Sequence, residues 1–233
     1  FVDYFKKGVI RGAVNIPSVP PEVLPQLQPY LGLAERMGLF QSQLIDAGIE
    51  QITVEYCGDV ANLSTAPLTV AVLKGLFAPI LESVVNTVNA PFIAKKRGIE
   101  AKEIKSNDAG EYTSLIRIHV EAGKQSYRLA GTLYHKKDPR IVESNAYPVE
   151  VIPEGFMLLL YNEDRPGVIG TVGRVLGEQN VNIARMQCAR AKKGDNALLI
   201  IGLDDSPPAQ IIETLKQERD ILSVRLVDLT QVQ

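Results

Sequence analysis

The chain has 233 residues, 45% of them apolar, enough for more than one compact core, so two domains are expected. A net charge of −2 and a pI near 5.8 give no basic field, which argues against nucleic acid or an anionic membrane as partner. No apolar run approaches the ~20 residues that span a bilayer, and the first residues carry no signal-peptide pattern. Cys57 and Cys188 stand far apart in predicted strands, which argues against a disulfide framework or a four-cysteine zinc site. They read as two buried, inert thiols of a cytoplasmic protein.

The chain opens without Met and in the middle of a helical pattern, Val2, Phe5, Val9 and Ile10 sharing one face up to Gly12. Residues 1–20 therefore read as the remnant of an upstream domain. Pro17, Pro20, Pro21, Pro25 and Pro29 stiffen the next stretch, and a helix is predicted from about Pro29 to Leu44. Its Leu31, Ala34, Met37, Gly38, Gln41 and Leu44 recur at three and four, one side small enough for close packing, so residues 21–48 form a linker and crossing helix.

Residues 49–152 read as one domain. A strand over 51–58 places Ile52, Val54 and Tyr56 on one side. A helix follows, capped by Ser64 or Thr65, with Pro67 in its first turn and Leu68, Val72, Leu76 and Ile80 at every fourth position. A second helix over 90–97 is stopped by Gly98, and strands are predicted over 100–105, 113–120, 125–134 and 140–144. Pro148 and Pro153-Glu154-Gly155 make the junction to a last domain, residues 153–233. There the apolar run Phe156 to Tyr161 reads as a buried strand, and Asn162, Glu163 and Asp164 break it. Asp164 is the expected N-cap and Pro166 the first-turn residue of a helix whose Val168, Ile169, Val172, Val175 and Leu176 form one face. Two strands over 182–191 and 196–203, a helix capped by Ser206 with Pro207 and Pro208 in its first turn, and a strand over 221–229 complete βαββαβ. The fold class is α+β: two domains, each a mostly antiparallel sheet with helices on one face, the second ferredoxin-like.

Asp164-Arg165-Pro166-Gly167 and Asn180-Val181-Asn182-Ile183 resemble the (D/N)RPG and (G/N)VNI hallmarks of the ACT domain. ACT domains typically pair side by side and bind an amino acid between the copies. The resemblance implies effector contacts from Asn162, Asp164 and a neighbouring subunit's Asn182; serine-regulated relatives often carry His or Tyr at the first of these. Ala13 to Pro17 and Pro29 to Gly38 resemble the exit from the catalytic part of the D-3-phosphoglycerate dehydrogenase family, and residues 50–150 resemble the intervening, anion-binding regulatory domain of its long forms. The resemblance implies a C-terminal regulatory part that senses L-serine or a related small amino acid and assembles as a homo-oligomer, dimer or tetramer. It also implies that NAD and the catalytic residues belong to the parent enzyme, with no cofactor in this stretch. The regulatory part of an iron–sulfur L-serine dehydratase and a bare oligomerisation module are the alternatives.

Between Ala90 and Arg140 stand eleven Lys or Arg against six Asp or Glu. An ordinary solvated surface accounts for them; the functional alternative is a site for phosphate or a phosphorylated acid using some of Lys95, Lys96, Arg97, Arg128 and Arg140. Gly167, Gly170 and Gly173 have the wrong spacing for a dinucleotide fingerprint. His119 and His135 lack partners at metal-ligand spacing, so no metal site is expected.

Overall fold

The computed structural model describes residues 22–81 and 84–232; the helix read around Val2 to Ile10 and the Ala13 to Pro17 motif lie outside the described residues. Helix α1 (Leu24–Ser42) leads into strand β1 (Ile49–Gly58), a short 3-10 turn (Asp59–Asn62), α2 (Ala66–Phe77) and α3 (Ala90–Lys96). Strands β2 (Glu100–Ser106), β3 (Ser114–Ala122), β4 (Gln125–Tyr134), β5 (Asp138–Ser144) and β6 (Tyr147–Val151) complete the first sheet, in the order β2-β1-β3-β4-β5-β6. Only the β1/β2 pair is parallel. The remainder is β7 (Phe156–Glu163), α4 (Val168–Glu178), β8 (Ile183–Arg190), β9 (Asn196–Leu203), α5 (Ala209–Gln217) and β10 (Ile221–Asp228). These four strands form an antiparallel sheet in the order β10-β7-β9-β8, the split-βαβ arrangement expected of βαββαβ.

Strand alternation puts Ile52, Val54 and Tyr56 of β1 on the same buried face as Ile116, Ile118 and Val120 of β3, and α1 and α2 lie across that face. The two helices touch backbone to backbone. A Cβ at Gly75 would stand 2.1 Å from the Glu35 carbonyl oxygen, and one at Gly38 2.2 Å from that of Val72, so glycine is required at both positions. In the second sheet β7 and β9 are buried on both faces. Met157, Leu159, Leu198 and Ile200 join the core of the first sheet, while Leu158, Leu160, Leu199 and Ile201 pack under α4 and α5. Further bonds tie the two halves. The Gln43 side chain donates to Asp228 O (3.0 Å) and accepts from Asp228 N (2.9 Å), and Glu150 N donates to Gln187 Oε1 (2.7 Å).

Several local expectations are corrected. Helix α1 begins five residues earlier than read and contains Pro29: the ring costs a hydrogen bond, but Leu27, Tyr30 and Leu33 are buried around it and packing outweighs the break. Residues 147–151, read as part of a junction, form β6, where Pro148 is tolerated because the strand lies at a sheet edge. Thr65 precedes α2 but its hydroxyl donates to Glu103 Oε2 (2.9 Å) instead of capping. Helix α5 starts after Pro208, so Ser206 is not its cap. Ile80 lies beyond α2 and, like Ile169, is exposed. Cys57 is buried as expected, but Cys188 is exposed on β8.

Overpacking at a contact this close costs about 1–3 kcal/mol or more. Gly75→Ala is therefore expected to lower the urea midpoint of unfolding clearly; an unchanged midpoint would mean that the helices are not at contact distance.

Candidate functional site

Strand β7 carries the corner. Leu160 faces α4 and α5 and Tyr161 the first sheet, so Asn162 turns back toward the helix side, 4% exposed. Its Nδ2 donates to Glu163 O (2.8 Å), while its Oδ1 is buried without a partner. An unmet buried acceptor costs about 1–3 kcal/mol, and a contact from outside requires the corner to move. Gly167, at φ 101°, supplies the left-handed turn that starts α4. That corrects the expected cap: Asp164 does not cap α4, and Pro166 lies before the helix, not inside its first turn.

The Asp164 carboxylate instead accepts from Arg190 Nη1 at 2.8 Å. The register explains the meeting, because Asn162 and Arg190 both stand opposite Ala197, one row across β7, β9 and β8. Arg165 is held by Glu163 (2.8 Å) and Asp220 (3.4 Å). Asn182 lies at the other end of β8, where its Nδ2 donates to Asp204 Oδ2 (2.6 Å). Eight residue steps along the strand separate Asn182 from Arg190, roughly 25 Å. A single chain thus brings Asn162 and Asp164 together and leaves Asn182 apart. Arg190 and Asp204 were missed by sequence reasoning; a basic residue closing a strand opposite the corner is the signal that could have found the first.

The five basic residues do not converge. Lys95 and Lys96 end α3 and Arg97 follows it, all exposed. Arg128 lies on the outer face of the first sheet beside an Arg117 that is paired with Glu55 (3.1 Å), and both line an open concavity with Glu143. Arg140 lies elsewhere, donating to Pro139 O (2.8 Å) and standing 5.4 Å from the Tyr134 ring centre. His119 contacts Ser126 (2.6 Å) and Glu121 (2.9 Å), and His135 sits in a turn at φ 52°. Among the described residues no cluster of His, Cys, Asp or Glu could hold a metal ion, and no helix is long and apolar enough to cross a membrane.

Residues 26–145 match the model of the D-3-phosphoglycerate dehydrogenase intervening domain, and residues 156–220 match that of the ACT domain. The chain belongs to the D-3-phosphoglycerate dehydrogenase family. It is 36% identical over 228 residues to the D-3-phosphoglycerate dehydrogenase of Methanocaldococcus jannaschii, covering 96% of this chain and 43% of that protein. The Bacillus subtilis enzyme is 33% identical over 226 residues, covering 97% and 43%, and that of Archaeoglobus fulgidus 36% over 226 residues, covering 96% and 43%. The chain thus spans less than half the length of these relatives.

Within the ACT region of this D-3-phosphoglycerate dehydrogenase relative, Cys188 reports on the corner. Partial burial, and then the Asp164 carboxylate, push its thiol above the ordinary cysteine range, while Arg190 opposes them. Removing the carboxylate charge in Asp164→Asn lowers that pKa and raises the thiolate fraction at a given pH. Alkylation of Cys188 near neutral pH is therefore expected to quicken in Asp164→Asn; a slower or equal rate would place the carboxylate away from the thiol.

Proposed function

We propose that this chain is the C-terminal regulatory part of a long-form, NAD-dependent D-3-phosphoglycerate dehydrogenase in serine biosynthesis, that it binds L-serine at an interface between two ACT regions, and that it assembles subunits. It contributes no catalytic residue of its own; hydride transfer and NAD belong to the remainder of the parent enzyme. The observation that carries the reading is the position of Asn182 at one end of β8 and of Asp164, bonded to Arg190, at the other; the outer edge of β8 pairs with no other strand among those described. A two-fold, edge-to-edge antiparallel pairing of β8 with a second copy brings the Asn182 end of one strand beside the Asp164 end of the other. Two equivalent sites result, each completed only by assembly.

Chemically, Asp164 is suited to an ammonium group and Asn182 to a hydroxyl or carboxylate, with Asn162 as a further acceptor once the corner opens. Asp164 and Asn182 are already engaged, by Arg190 and Asp204, so ligand binding exchanges polar contacts instead of filling a vacant cleft. Serine would inhibit a distant active site only through a difference in affinity between two subunit arrangements. The basic residues of 90–140 support no single phosphate site in this reading, because they are dispersed.

Titration of L-serine, with glycine as control, into the purified chain tests the proposal when heat and oligomeric mass are recorded together. Saturable binding by a dimer or larger assembly is expected. It should weaken roughly tenfold or more in Asp164→Ala and in Asn182→Ala, each of which removes a hydrogen bond to a charged or polar ligand group. No heat with an unchanged oligomer would leave assembly without sensing.

A further inference from the structure

The Asp164–Arg190 pair is itself a split zwitterion. Its two charges come from different elements, the corner after β7 and the end of β8, meet through one contact of 2.8 Å, and are partly open to water, at 30% and 54% side-chain exposure. Such a pair is held weakly, so separating it costs little. The neighbouring arginine of the corner is not available in the same way: Arg165 is shared between Glu163 and Asp220. Farther along, Arg174 serves Glu178 and Glu218, and Arg185 serves Glu154 at the other end of the strand. Of these arginines Arg190 is the one whose carboxylate partner is Asp164.

An α-amino acid carries at its Cα the same two charges that Asp164 and Arg190 present. Inserted between them, it satisfies both: its ammonium takes the Arg190 position on Asp164, and the freed guanidinium takes its carboxylate in the fork geometry that arginine offers. We propose that Arg190 is the carboxylate-binding residue of the effector cleft and opens away from Asp164 as the ligand enters. This rests on the amino-acid-binding reading above and goes beyond it, since that reading assigns no role to Arg190. It also sets ligand class: free α-amino acids fit, whereas amines, amides and N-blocked amino acids lack one of the two charges. The side chain is left to contacts outside the pair, so Arg190 selects for the amino-acid headgroup and not for serine over its analogues.

The test compares L-serine with L-serinamide, which keeps the ammonium and hydroxyl but has no carboxylate, at about pH 6.5 where an α-amino group is largely protonated. Each is titrated into the full chain and into Arg190→Met and Arg190→Lys. L-Serine affinity is expected to fall roughly tenfold or more in Arg190→Met and to be partly restored in Arg190→Lys. Serinamide should bind the unaltered chain more weakly than serine and be insensitive to Arg190→Met or bind it more tightly, which also shows that the variant is folded. Unchanged or tighter serine binding by Arg190→Met overturns the role, as does a parallel loss of both ligands. Those failures leave binding by the unaltered chain intact. If the unaltered chain binds neither ligand, the sensing reading fails and the role of Arg190 falls with it.

Discussion

Strands β7 and β9 are buried on both faces, and this fixes the arrangement of everything around them. Along β7 successive side chains serve different cores: Met157 and Leu159 lie against the first sheet, Leu158 and Leu160 under the two ACT helices. A shift of one residue would exchange the two sets and place every one of them in the wrong core, so the register is strongly specified. The corner inherits that precision. Asn162, next to the last residue of β7, lies at a depth set by the leucines before it, and Ala197 opposite it aligns Arg190 on the next strand but one.

This two-sided burial is also why the strands were readable as continuous apolar runs. Phe156 to Tyr161 and Ala197 to Leu203 carry no polar alternation because no face meets water. Where one face is open, as in β3, alternation marks the strand instead, with Arg117 and His119 between Ile116, Ile118 and Val120. Helix starts were less legible. Pro25 suits the first turn, but Pro29 signals a break by local rules, and the burial of Leu27 and Leu33 explains why α1 runs through. Asp164 and Ser206 are good caps by composition, yet Gly167 and Pro208 stand at the observed helix starts.

For the candidate site, the pattern located two of its parts and not their partners. The (D/N)RPG and VNI motifs mark Asp164 and Asn182 from local sequence alone. That Asp164 meets Arg190 depends on strand order, since 26 positions separate them. The dispersed basic residues make the same point in reverse: Arg128 and Arg140 lie on adjacent strands of one sheet, yet they line different concavities. A local excess of charge in sequence carries no information about convergence unless the elements that bear it share a face.

The bonds between Gln43 and Asp228 join positions 185 residues apart. Helix α1 is the first described element and β10 the last. Its own partner α2 lies close in sequence, so the α1/α2 pair can form early through short-range closure. The lock on its C-terminal end closes only when β10 is in place. The face of the first sheet that Met157, Leu159, Leu198 and Ile200 cover is apolar, so it depends on the second sheet for its shield from water. A face left uncovered in that way is open to misassembly with other chains, and docking of the second sheet closes it.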